Sequence, residues 1–144
     1  TRDQTVATHT GLRERCFGEF QGHTYADIER LWPEGATRWR QRDPHFAPRG
    51  GESLVEFNAR CVIAAERLCT QYAGTTMVWF THGGVLDCLY RAATRIGLDA
   101  PRSWPLANAA INRLLYSDQG LMLVGWGDSR HLDAAVGDAP VTNE

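Results

Sequence analysis

Residues 75 to 81, TTMVWFT, are β-branched and apolar without alternating polar positions, and the run ends abruptly at His82, Gly83 and Gly84. A run of this kind predicts a strand buried on both faces, and such a strand needs helices to cover it. Both flanks supply them. Upstream, Ser53 opens SLVE, a capping box in which the Ser oxygen takes an early amide and Glu56 reaches back. Phe57, Cys61, Ala64, Ala65, Leu68 and Tyr72 then keep one apolar face until Gly74, which predicts a long amphipathic helix. Downstream, GVLDCLYRAATRIG (84–97) predicts a second helix ending at Gly97. INRLLYS (111–117) and LMLVGW (121–126) flank DQG, a good hairpin turn. Helix, strand, helix and hairpin in this order predict an α/β sandwich with a mostly parallel sheet, one domain over residues 1 to 144.

The remainder is less regular. LRERCFGEFQG (12–22) is Gly-punctuated and reads as a loop lying over something. Thr24 predicts the cap of a short helix carrying Ile28, Leu31 and Trp32, ended by Pro33 and Gly35. Residues 36 to 52, ATRWRQRDPHFAPRGGE, read as an exposed, ordered excursion pinned by Trp39 and Phe46. The polar tail beyond His131 and Leu132 is expected to fray.

A net charge of -2 over 144 residues excludes a broad nucleic-acid footprint, so any phosphate binding must be local. No apolar run approaches the roughly 20 residues of a membrane span, and no signal-peptide pattern opens the chain. The reading is of a cytoplasmic protein without nucleic-acid or membrane partners. Cys16, Cys61, Cys69 and Cys88 show no CxxC pairing and are expected to be reduced thiols. The histidines (9, 23, 45, 82 and 131) are scattered with no HExxH, so no metal is expected. No GxSxG occurs, which leaves Ser53 as a cap rather than a nucleophile.

His82 stands where α/β sheets collect their chemistry, at the carboxyl end of a strand. The glycines after it let backbone amides approach a bound group, and the next helix points its positive end at the same spot. An anion fits there, but so does a core histidine above a tight turn. Glu14 and Arg15 lie in a Gly-flanked loop, where a carboxyl beside a phosphate could serve as an acid. Arg13, Glu14, Arg15 and Glu19 could equally be a solvated charge cluster. The residues alone leave both alternatives open.

Taken in order, LRERCFGEFQG, RGGESLVEFNAR, FTHGGVL, LANAAIN and GDSRHL resemble the histidine phosphatase family, also called the phosphoglycerate mutase-like superfamily, over residues 10 to 132. The resemblance implies a three-layer α/β/α sandwich and phosphomonoester chemistry without a cofactor. One histidine attacks the phosphoryl group, a carboxyl protonates the leaving oxygen, and a second histidine with arginines holds the phosphate. By resemblance, His82 is the phosphate-holding histidine and Glu14 the proton donor. Arg15, the Gly83 amide and Asn108 are substrate contacts. Ala110 stands where many members carry a small hydroxyl. The implied partner is a small phosphorylated metabolite.

The family opens with an RHG strand bearing the attacking histidine, and these 144 residues contain no RHG. Either the intact protein carries that strand upstream, or the chain is a truncated, inactive phospho-ligand-binding module. A truncated chain would expose sheet edges that a homodimer could cover. Resembling mutases carry a Lys where this chain has Tyr25, and two adjacent Arg where Arg40 and Arg42 are split by Gln41. Both departures favour a phosphatase. Arg38, Arg40, Arg42 and Arg49 form either a solvated face or a lid over an acidic phospho-substrate.

Overall fold

The computed structural model describes residues 6–133, and the end of the tail expected to fray lies outside them. Five α-helices, two short 3-10 turns (Thr10–Leu12 and Gly18–Phe20) and one hairpin occur among these residues: α1 (Tyr25–Leu31), α2 (Pro33–Arg40), α3 (Leu54–Gln71), α4 (Gly83–Thr94), β1 (Ile111–Ser117), β2 (Gly120–Asp128) and α5 (Arg130–Asp133).

Local chemistry accounts for the boundaries. Thr24 caps α1 and Ser53 caps α3, each in a complete capping box, with Asp27 and Glu56 returning the second bond. Helix α3 ends at Gln71, and Gly74 follows with a φ of 76°, a left-handed turn that glycine adopts without a Cβ clash. Helix α4 stops at Thr94, three residues before Gly97, because Arg95 takes the left-handed conformation at its C-cap. Helix α1 ends at Leu31, ahead of Pro33 as the sequence predicts, but helical structure resumes at once. The missing N–H and fixed φ of Pro33 suit the first position of a helix, and it opens α2, so the first part of the excursion is helical. The rest is irregular and held as expected: Trp39 and Phe46 pack against buried Phe20, Ile28 and Ala36.

The main core lies between α3, α4 and β2. Phe57, Cys61 and Ala65 of α3 meet Val85, Cys88 and Leu89 of α4, with Leu121 of β2 closing one side. Phe57 and Leu89 are almost fully buried, and each contributes roughly 1.5–3 kcal/mol over an exposed side chain. All four cysteines are free thiols.

β1 and β2 pair antiparallel from Ser117↔Gly120 back to Ile111↔Asp128, with register shifts near Arg113. They form the only sheet among the described residues. The segment 75–81 differs from expectation on one face. It carries no strand pairing among the described residues, yet exposure alternates strictly along residues 76 to 82, as in an extended chain. Met77, Trp79 and Thr81 turn inward, and Trp79 packs on the α3–α4 core. Val78 and Phe80 are 75% and 94% exposed. The helices cover one face, and no described strand lies beside the other to cover it.

Candidate active site

The site forms where segment 75–81 runs into α4. His82 occupies the N-cap of α4 in an extended conformation (φ -111°, ψ 161°), and its side chain makes no capping bond. The ring is exposed, which removes the core-histidine alternative. Gly83 follows, also exposed, and Leu106 Cδ1 lies 3.9 Å from where a Cβ on Gly83 would sit. The loop before β1 therefore reaches this end of the molecule. Asn108, two residues beyond Leu106, is exposed in the tight turn closed by the Ala110 N–H donating to the Ala107 carbonyl at 3.3 Å.

Glu14 comes to the same place from the far end of the sequence. Its Oε2 accepts the Gly84 N–H at 3.1 Å and its Oε1 accepts the Arg15 N–H at 2.8 Å. The carboxylate thus caps α4 from outside, where the helix dipole and the unpaired first-turn amides favour negative charge. Gly84 must be glycine for this approach, because a Cβ there would lie 2.3 Å from Glu14 Oε1. The solvated-cluster alternative for Glu14 is overturned by this contact.

Arg15 is half-buried, and its side chain is directed by carbonyls. Nε donates to the Glu52 main-chain oxygen at 2.9 Å and Nη2 to the Phe46 oxygen at 3.2 Å. Burial pulls its pKa down, although the nearby Glu52 carboxylate opposes that shift. Phe46 belongs to the excursion, so Arg15 ties the excursion to the site.

Sequence reasoning missed three residues that build the loop. Thr81 donates its hydroxyl to the Leu12 carbonyl at 2.8 Å. Arg60, on α3, forms a two-pronged ion pair with Glu52, at 2.7 Å from Nε and 2.8 Å from Nη2. That bonding holds the Glu52 carboxylate below its usual pKa and raises that of Arg60. The signal was present in RGGESLVEFNAR, where Glu52 and Arg60 stand eight positions apart across the helix start, but nothing local says that they face the loop at residue 14.

Among the described residues, no three His, Cys, Asp or Glu side chains are grouped as a metal would need, and no helix is long and apolar enough to cross a membrane. A carboxylate and an exposed histidine thus meet at the start of α4, while the Arg15 guanidinium, on the same loop as Glu14, is turned to the carbonyls of Glu52 and Phe46.

Comparison with known proteins agrees with the motifs. Residues 1–129 match the model of the histidine phosphatase superfamily (branch 1). The chain is 34% identical to phosphoglycerate mutase-like protein 4 of Arabidopsis thaliana over 131 residues, 89% of this chain and 55% of that protein. It is 30% identical to the metal-independent phosphoserine phosphatase of the same plant over 85% of this chain and 50% of that one. The chain thus spans about half the length of these curated relatives. Among solved structures, YhfR of Bacillus stearothermophilus superposes with a TM-score of 0.75 at 24% identity, over 86% of this chain and 62% of that one, which shows the phosphoglycerate mutase-like α/β fold. A mycobacterial glucosyl-3-phosphoglycerate phosphatase in complex with VO3 superposes at 0.64 with 29% identity, over 84% and 64% of the two chains. By family match and fold, this chain belongs to the histidine phosphatase superfamily, branch 1.

Proposed function

We propose that the chain supplies the acid and the phosphate-holding groups of a phosphatase that hydrolyses small phosphorylated metabolites. The observation that carries this reading is the Glu14 carboxylate on the Gly84 amide, two residues from the exposed ring of His82. His82, Arg15 and the Gly83 amide hold the phosphoryl oxygens, and Asn108 contacts the substrate from the loop before β1. Glu14, having exchanged one of the two amide bonds that hold its carboxylate for a proton, gives that proton to the leaving oxygen as the P–O ester bond breaks. The new N–P bond forms to a histidine from outside these 144 residues, since they contain no RHG. Water then cleaves that bond, releasing phosphate and the free imidazole. Positive groups around the phosphoryl oxygens stabilise the charge-rich transition state.

Two relatives are named for phosphoserine and glucosyl-3-phosphoglycerate, and these names support a small phosphorylated acid as substrate. The excursion supports hydrolysis over transfer between two oxygens of one substrate. Arg38 pairs with Asp43 at 2.6 Å and Arg40 with Glu29, exposed pairs that a second anionic group would have to displace. Tyr25 stacks on Trp39 with ring centroids 5.3 Å apart, where resembling mutases carry a Lys.

The test combines binding and turnover. Inorganic phosphate is titrated into the chain while the His82 ring is followed by NMR, and hydrolysis of phosphoserine and 3-phosphoglycerate is assayed in a form of the protein that carries the attacking histidine, beside its His82→Ala variant. Perturbation of the His82 ring with turnover that His82→Ala abolishes supports the phosphatase. Phosphate binding without turnover in that nucleophile-bearing form identifies a non-catalytic phospho-ligand module. No response at His82 removes both.

A further inference from the structure

The loop bearing Glu14 and Arg15 is irregular between the short turns Thr10–Leu12 and Gly18–Phe20, so carbonyls of that stretch need partners from elsewhere. Thr81 serves the Leu12 carbonyl and the Glu52 N–H that of Cys16, and one side chain serves four others. Arg60 Nη1 donates to the carbonyls of Gly11 at 3.0 Å, Arg13 at 3.1 Å and Thr10 at 3.4 Å, and Nη2 reaches the Glu14 carbonyl at 3.4 Å. The same guanidinium holds both oxygens of Glu52, and Glu52 Oε2 also accepts the Cys16 N–H at 2.9 Å. Residue 52 is thus bonded four ways: its carboxylate to Arg60 and to the Cys16 N–H, its own N–H to the Cys16 carbonyl at 2.9 Å, and its main-chain oxygen to Arg15 Nε. The loop is gripped on both sides of Glu14.

We infer that Arg60, aligned by Glu52, is a positioning residue that fixes residues 10 to 16 so that Glu14 reaches the amide of Gly84 and Arg15 is presented to the same site. The inference rests on the proposed phosphatase for the tasks of Glu14 and Arg15. An ion pair serving α3 alone would not direct its remaining donors at four carbonyls of one distant loop. The planar fork of arginine fits this task, and a lysine, with one point charge, can satisfy only part of it. The pair is well covered, with side chains 21% and 18% exposed, so its geometry is held rather than sampled.

The test is a pH titration of the Arg15 and Gly84 backbone amides by NMR, because both donate to the Glu14 carboxylate. In the wild-type chain the two amides follow one common titration. In Arg60→Ala that keeps the α3 and α4 spectrum, the pH response of Gly84 falls about threefold or more and its hydrogen exchange speeds about tenfold. Arg60→Lys recovers only part of the response, and added guanidinium ion restores it in Arg60→Ala. A folded Arg60→Ala with the wild-type response at both amides overturns the inference, as does a wild type whose two amides titrate separately. If Arg60→Ala does not fold, Glu52→Gln takes the same measurement, with loss of the response supporting the inference and a wild-type response overturning it. Failure of the wild type to bind inorganic phosphate bears on the phosphatase reading and leaves these amide results to decide the positioning role.

Discussion

Glu14 and Gly84, 70 positions apart in sequence, meet through a 3.1 Å bond from the Gly84 N–H to the carboxylate. The contact needs a residue without a side chain at 84 and a loop held rigidly at 14. It also separates the effect of one substitution on stability from its effect on chemistry.

Gly84→Ala tests that separation. The added Cβ would collide with the Glu14 carboxylate at 2.3 Å and crowd Phe57 Cε1 at 3.1 Å. A carboxylate can swing away at little cost, and alanine is better than glycine in a helix by about 1 kcal/mol. Stability in urea is therefore expected to stay within about 1 kcal/mol of wild type. In a form of the protein that carries the attacking histidine, proton donation is expected to suffer far more, by about 100-fold for alkyl phosphates, which need an acid. With p-nitrophenyl phosphate, whose leaving group needs little protonation, the loss shrinks. Equal losses on both substrates would remove Glu14 from the role of acid.

Glu52 gives a pH dependence with a definite sign. Hydrogen bonds from Arg60 lower its folded-state pKa most, and the Cys16 amide adds to this. Its stabilisation is therefore complete above the unfolded value, about 4.3 for a glutamate, and is lost as pH falls through the lower folded value. Glu52→Gln is expected to cost about 2 kcal/mol at neutral pH, with the difference from wild type narrowing as pH falls below about 4. Thermal melts of both proteins between pH 2 and pH 7 check this, and a difference independent of pH contradicts it.

The elements that carried their own start signals were legible in the sequence. Thr24 and Ser53 announce α1 and α3 through side chains that bond within the first turn, and DQG announces the hairpin for the same local reason. His82 was legible because a strand-end position, two glycines and a helix start are adjacent in sequence. The Arg60–Glu52 grip was not, because its meaning lies in carbonyls 46 to 50 positions away. Helix α2 was misread because proline both ends and begins helices, and only the backbone of Trp32 decides which. Segment 75–81 showed its conformation in its composition, but burial of its second face depends on a neighbour that local pattern does not specify.

Inside α4, Asp87 and Arg91 form a buried ion pair, with Arg91 Nε 3.0 Å from Asp87 Oδ2. Arg91 also donates to the Gly97 carbonyl and, at 3.0 Å, to that of Ala100, and its guanidinium lies 4.8 Å from the centre of the Trp104 ring. It thereby anchors the loop after α4. Removing the carboxylate leaves a charge that is 2% exposed without its counter-ion. Asp87→Ala is expected to destabilise the chain by about 3–5 kcal/mol, read from urea denaturation. A change under about 1 kcal/mol would mean that the carbonyls and Trp104 alone satisfy Arg91.

Segment 75–81 offers the opposite case, a large apolar side chain whose removal costs the fold little. Phe80 is 94% exposed, whereas Trp79 beside it packs on the core. Phe80→Ser should leave the unfolding free energy of the chain within about 0.5 kcal/mol, while Trp79→Ser removes buried area and costs several times more. Phe80→Ser should also lower binding of an apolar dye, since Phe80 and Val78 leave one face of the segment exposed. Amides of residues 76 to 80, which have no ladder partner among the described residues, should exchange with solvent far faster than those in the middle of α3. Slow exchange there, together with a large cost for Phe80→Ser, would mean that this face is covered in solution, and the dye would then fail to distinguish the variant from the wild type.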